Sequence, residues 1–245
     1  MVKSLEKSFF ILHLVCCGGN SKRKLNCQMP ETKEQRKSRA IKILDLLENE
    51  YPDAGCHLDY EDPFQLLIST LLAAQCTDER VNMVMVPLYK NYKTPGDFLK
   101  LTQGELEDKL RSINFYRNKS KSVLACCRSL VNDHNSRVPN SMNELVKLAG
   151  VGRKTANVVL GNCFSEPAIM TDTHLNRVSQ RLGLTDSDKP EKIEIDLKKI
   201  IPDNRQVKYS HVIGQHGRTI CKARKPLCEE CVVCKLCPSC GTFGK

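Results

Sequence analysis

The sequence predicts an all-α protein, and three observations carry that prediction. Apolar residues recur at helical spacing along nearly the whole chain, and no convincing period-two run appears. Helix-start signals repeat: Asp62-Pro63, Thr94-Pro95, and the capping-box pairs Thr102/Glu105 and Ser141/Glu144. No internal repeat or low-complexity tract interrupts the pattern. A hydrophobic content of 40% over 245 residues suits one large or two small globular domains.

Taken in order, residues 33–51 form an amphipathic helix with Ile43, Leu44, Leu47 and Tyr51 inward, stopped before Pro52. Asp62 caps the next helix, in which Phe64, Leu67, Ile68 and Leu71 make the buried stripe. It ends at Ala73-Ala74-Gln75-Cys76, and Thr77 or Asp78 starts a helix running to about Tyr92. Short helices follow Thr94-Pro95 and Thr102, the second closing near Ser112 before the turn Ile113-Asn114-Phe115-Tyr116. A long helix then buries Val123, Leu124, Cys127, Leu130 and Val131. Ser141 opens a helix through Leu145, Val146 and Leu148; Gly150-Val151-Gly152 makes a hairpin; a further helix begins at Arg153. Ala168-Ile169-Met170-Thr171 is an apolar approach to Asp172-Thr173-His174, and Leu175, Val178 and Leu182 mark the helix behind it. Residues 190–201 and 205–219 supply two more helices before a cysteine-rich tail.

Lys and Arg number 38 against 28 Asp and Glu, a net charge of +10 that points to a polyanionic partner, nucleic acid first. With no Trp and 5% aromatic residues, a broad base-stacking platform is excluded. Lys3 and Lys7 precede the apolar run Phe9-Phe10-Ile11-Leu12-His13-Leu14-Val15, which resembles an export signal but is too short to span a membrane. Residues 1–28 therefore read as a non-native or disordered leader, with Met29 as the start of the working chain.

The hairpin carries the first chemical signal. Glycines tolerate positive φ and let a backbone approach another molecule closely. The helix behind them starts with free N–H groups at its positive end, where a phosphate is the natural ligand. A plain interhelical turn is the bland alternative; the adjacent Arg153 and Lys154 weigh against it.

The second signal is the spacing Cys221-x6-Cys228-x2-Cys231-x2-Cys234-x2-Cys237-x2-Cys240, six of the 14 cysteines. Cys56, Cys76, Cys126, Cys127 and Cys163 lie in helix-like surroundings and read as small buried hydrophobes, which favours a reducing compartment and a C-terminal metal site over a disulfide scaffold. Zinc ribbons separate their Cys pairs by about fifteen residues or more, whereas nearly continuous Cys-x2-Cys runs before a Cys-Pro suit a four-iron cluster. Spacing alone leaves open which four of the six bind. The loop between Cys221 and Cys228 carries Lys222, Arg224 and Lys225, either a solvated run or cations presented to phosphates.

Four segments together resemble the endonuclease III family of the helix-hairpin-helix DNA glycosylase superfamily: residues 71–78 (Leu-Leu-Ala-Ala-Gln-Cys-Thr-Asp), the hairpin helix 150–159, the turn Asp172-Thr173-His174, and Cys221-x6-Cys228-x2-Cys231-x5-Cys237. The likeness runs from about residue 36 to 240. It implies a six-helix domain over 57–165, and a second domain of 29–56 with 166–245 carrying a [4Fe–4S] cluster, with double-stranded DNA in the groove between. Cys221, Cys228, Cys231 and Cys237 are the ligands it implies, leaving Cys234 and Cys240 as extras.

It further implies that Lys154 is a catalytic lysine and Asp172 an essential aspartate. The residue types suit the chemistry. An amine can attack C1′ and form a Schiff base, which permits β-elimination of the 3′ phosphate, and a carboxylate can stabilise positive charge at the sugar or help deprotonate the nucleophile. Arg153 and the helix start would favour a neutral amine at Lys154. Taken alone, Lys154 reads as a phosphate contact and Asp172 as a helix N-cap. Gln75 and Phe115 match positions that fill the space left by an extruded base; their alternatives are a buried amide and a core aromatic. Gly150, Val151, Gly152, Arg153, Thr155 and His174 are the remaining DNA-binding candidates around the hairpin. Two positions depart from the family: Ala149 stands for a usual proline, and Asn114 for a usual glycine, asparagine being the next-best residue for positive φ. The expectation is a monomeric, cytoplasmic and nucleoid-associated glycosylase and abasic-site lyase acting on oxidised pyrimidines. A mismatch or adenine glycosylase and a non-catalytic DNA-binding module are its rivals.

Overall fold

The computed structural model describes residues 31–242; the leader at 1–28 and the start at Met29 lie outside them. Among the described residues all regular structure is helical. The α-helices are α1 (Lys33–Glu50), α2 (Pro63–Leu72), α3 (Asp78–Tyr89), α4 (Pro95–Phe98), α5 (Gln103–Lys109), α6 (Tyr116–Asp133), α7 (Met142–Leu145), α8 (Arg153–Cys163), α9 (Thr173–Arg181), α10 (Pro190–Ile200) and α11 (Gln206–Thr219). None of them is long and apolar enough to cross a membrane.

The starts fall where side-chain oxygens can satisfy free N–H groups. Thr32, Asp62, Thr77, Thr94, Thr102, Ser141 and Asp172 each accept a hydrogen bond from a first-turn N–H. At Thr102 the capping box is complete, Glu105 accepting from the Thr102 N–H at 2.8 Å. At Ser141 the glutamate instead accepts from the serine hydroxyl, also at 2.8 Å. α5 ends at Lys109, earlier than its sequence suggested, because Leu110 turns into the core.

Two apolar cores organise the helices. The first gathers side chains from α2 to α8, with Leu66, Leu67, Phe98, Leu106 and Val159 fully buried. The second joins α1, through Ile43, Leu44 and Leu47, to Leu175, Leu197, Tyr209 and Val212 of α9–α11. α2 packs on α8, α9 on α11, and α1 on both α10 and α11. Of the helical cysteines read as buried hydrophobes, Cys126 and Cys127 are buried, whereas Cys56, Cys76 and Cys163 are only partly covered.

Candidate active site

The hairpin between α7 and α8 is pinned from beneath. Leu148 and Val151 are buried in the first core, and the Val151 N–H donates to Leu148 O at 3.1 Å. Val151 is therefore a core anchor whose N–H is already used within the hairpin. Gly150 is left-handed at φ +77, and a Cβ there would meet Ser122 Cβ at 3.0 Å and Leu71 Cδ1 at 3.2 Å. Gly152 differs: it is extended, at φ −92, and a Cβ would meet nothing within 4 Å. Only the first glycine is required by the turn; at the second the fold leaves open space above a helix start that no side chain caps.

Arg153 is spent on a neighbour. Its Nε and Nη2 donate to Glu194 Oε2 and Oε1 at 2.7 and 2.9 Å, and Lys198 Nζ lies 3.0 Å from the same carboxylate. Burial opposes ionisation of Glu194, but the hydrogen bonds from Arg153 and Lys198 outweigh it and hold the carboxyl below its usual value. Arg153 is thus held by Glu194, which it shares with Lys198, while its side chain stays 48% exposed.

Lys154 is exposed and faces a cleft with an empty volume of ≈ 1350 Å³, whose lining includes Thr155, Asp172 and His174. The lysine and the aspartate, eighteen residues apart by direct subtraction of their numbers, so reach one space. The Met170 N–H donates to Ser210 Oγ at 3.0 Å, and Asn157 Nδ2 to Ile169 O at 3.1 Å, fixing the strand-like approach to Asp172. Asp172 also caps α9, accepting from the Leu175 N–H at 2.7 Å. His174 Nδ1 sits 3.3 Å from Arg177 Nη2.

The cleft's other walls were not anticipated. His57, Asp78, His211 and Arg218 line it, as do Cys56 and Cys76. Arg218 lies 3.7 Å from Asp78, and His211 Nε2 is 2.9 Å from Asn162 Oδ1. Burial, aided by Lys208, His57 and Arg218, pushes the His211 imidazole down to about 4. Cys76 and Asp78 belong to the segment 71–78, whereas no local motif marks His57, His211 or Arg218; Arg218 of α11 meets Asp78 of α3 only in the folded chain.

Gln75 and Phe115 are both exposed, Phe115 by 63%. Neither the buried amide nor the core aromatic describes them. The left-handed residue of this turn is Phe115 at φ 58, not Asn114 as the asparagine suggested. Gln75, at φ 55, is left-handed as well.

The tail forms a separate centre. Cys221, Cys228, Cys231 and Cys237 are free thiols lining a cavity of ≈ 380 Å³ empty volume, walled by Val178, Leu182 and Ile220. Cys234 and Cys240, the two extras, are joined to each other as a disulfide. Among the described residues no three His, Cys, Asp or Glu side chains converge closely enough to share one metal ion. Four thiols spaced around a cavity, no three of them close enough to share one ion, suit a polynuclear cluster better than a single zinc; His216 also lines the cavity, its Nε2 3.5 Å from Cys231 Sγ. Arg181 Nη1 and Nη2 donate to Lys222 O at 2.7 Å and Ala223 O at 2.9 Å, and Arg177 Nη2 donates to Cys221 O at 3.1 Å. These two arginines fix the loop whose exposed tips are Lys222, Arg224 and Lys225.

Residues 68–203 match the model of the HhH-GPD superfamily base excision DNA repair protein family. The chain is 48% identical to endonuclease III of Synechocystis sp. over 205 residues, covering 83% of this chain and 94% of the relative. It is 38% identical to the Escherichia coli endonuclease III, covering 82% and 95%. The fold superimposes on a trapped endonuclease III–DNA covalent intermediate with a TM-score of 0.80 at 42% identity, over 84% of this chain and 97% of that one. A non-covalent endonuclease III–DNA complex matches equally well.

Proposed function

Because the chain belongs to the endonuclease III family, within the HhH-GPD superfamily of base excision DNA repair proteins, we propose that Lys154 and Asp172 form its reaction centre. The protein is a bifunctional DNA glycosylase and abasic-site lyase. The observation that carries the residue assignment is the convergence of Lys154 and Asp172 on one open cleft. A target nucleotide leaves the base stack to enter it. The Lys154 amine attacks C1′ as the bond from C1′ to the base breaks; the base departs with the bonding pair and takes up a proton. The amine gives up its proton, the sugar ring opens, and a Schiff base to C1′ forms. That cation acidifies the C2′ proton, whose loss expels the 3′ phosphate. The Asp172 carboxylate stabilises the positive charge that develops at the sugar. Oxidised pyrimidines in duplex DNA are the substrates of this reading, and the chain works on them as a monomer.

The open space above Gly152 and the uncapped start of α8 provide a seat for a phosphate beside the lesion. Gln75 and Phe115 fill the vacated place in the duplex, and Thr155, His174, Lys222, Arg224 and Lys225 meet the backbone. The two apolar cores correspond to two domains, 57–165 and 29–56 with 166–245. Cys221, Cys228, Cys231 and Cys237 hold a [4Fe–4S] cluster, which would supply a rigid cross-link for the basic loop.

Borohydride reduction on abasic duplex DNA tests the assignment. Wild type should yield a covalent adduct, and Lys154→Ala should lose it while still binding the duplex. An adduct that survives in Lys154→Ala would move the nucleophile to another residue.

A further inference from the structure

Gln75 and Phe115 share a peculiarity that their sequence positions hide. Both hold positive φ, 55 and 58, although neither is glycine. For a bulky residue such as Phe this is a conformational outlier, which persists only where its surroundings over-determine it. They lie on different elements, Gln75 in the turn between α2 and α3, and Phe115 at the entry to α6.

The determinants are two side chains from the Phe115 segment that reach across to the Gln75 turn. Asn114 Nδ2 donates to Gln75 O at 2.8 Å. Lys119 Nζ donates to Leu72 O at 2.8 Å and to Ala74 O at 2.6 Å. Lys119 is only 7% exposed, and its own N–H donates to Phe115 O at 3.1 Å. An ammonium at the last carbonyls of α2 also sits at the negative end of that helix. Desolvation lowers the lysine's affinity for its proton, so the carbonyls are what hold the charge in place. Residues 72–75 are thereby tied to residues 114–119 by three side-chain hydrogen bonds, while the Gln75 and Phe115 side chains remain exposed.

We propose that Asn114 and Lys119 are positioning residues that lock the Gln75 turn and the Phe115 turn into one two-pronged unit, presented to the duplex at a fixed separation. This rests on the reading of Gln75 and Phe115 as residues that fill the space of an extruded nucleotide. A pre-set pair of prongs spares the ordering of two separate loops when the base leaves the stack. The glycine usual at position 114 in the family has no side chain to make the first of these bonds, so in this chain Asn114 adds a tie that a glycine cannot.

The test compares single-turnover excision of one oxidised pyrimidine placed in a fully paired duplex and in an unpaired bulge, where no extrusion is needed. Asn114 is exposed, so its variants should fold. Asn114→Ala should slow the paired reaction about tenfold and leave the bulged one within about twofold. Asn114→Asp, the same size without the N–H donor, should slow the paired reaction at least as much. Lys119→Met, its folding checked by thermal melting, should follow the same split. Phe115→Ala serves as the reference for the underlying reading. If Phe115→Ala slows the paired reaction and the Asn114 variants do not, the brace is overturned and the prongs stand. If Asn114→Ala slows both substrates equally, its part is general support and the proposal fails. If Phe115→Ala and Gln75→Ala leave the paired reaction unchanged, the prong reading falls and the brace with it.

Discussion

Burial holds the His211 imidazole neutral in the wall of the cleft, and this makes stability depend on pH. Its proton affinity is pushed down from the usual 6.5 to about 4. Between those values the unfolded chain binds a proton that the native state does not, so stability falls as pH drops from about 6.5 toward 4 and changes no further below. The shift corresponds to on the order of 3 kcal/mol. His211→Gln, which keeps a donor for Asn162, should flatten the fall in thermal midpoint across that window relative to wild type; calorimetry at closely spaced pH values measures it. Single residues were unevenly legible. Lys154 and Asp172 line one cleft, and a lysine behind a glycine hairpin and an aspartate before a helix leave marks in the local pattern. Arg153 pairs with Glu194, forty-one residues on, and nothing in its own segment reveals that partner. His211 and Arg218 left no mark, since their meaning comes from α3 packed opposite.

The helices themselves were largely legible, since caps, Pro at first positions and apolar stripes are local. α9 shows where that stops. Its sequence announces the Asp172 cap and the stripe of Leu175 and Val178, but not that Arg177 and Arg181, four apart and so on one face, hold the cysteine loop by its carbonyls. The tail likewise announced metal-binding thiols without saying which. All six line the cavity, and the disulfide between Cys234 and Cys240, six apart, leaves the other four as free thiols. Two outcomes follow for the purified protein. The double variant Cys234→Ser, Cys240→Ser should keep its full iron and labile sulfide, whereas Cys228→Ser should lose both. Closing so short a loop restrains the unfolded chain by about 2 kcal/mol, so the double variant should also melt a few degrees lower. Iron analysis with a thermal scan checks both.

Across the molecule, two apolar cores built from distant segments bring α8 and α9 to one cleft. α1 and α11 lie more than 150 residues apart yet share the second core. With a net charge of +10, binding to duplex DNA should weaken steeply with salt, because each neutralised phosphate releases counterions. Replacing Lys222, Arg224 and Lys225 together by Ala should reduce the slope of log affinity against log salt by roughly 2 to 3. Fluorescence anisotropy across a salt series reads that slope; an unchanged slope would remove the loop from the DNA interface.

The sequence by itself determined the helices, the hairpin turn and the thiol-rich tail. Each is written in residues within a few positions of one another, where backbone geometry and ligand spacing act locally. Only the tertiary structure decided that Arg153 is consumed by Glu194 and that Val151 is core. It alone joined Cys234 to Cys240, and it alone tied the turn bearing Gln75 to the turn bearing Phe115. Those are pairings between segments far apart in the chain. Helical periodicity says which face of a helix is buried, but not which partner it meets.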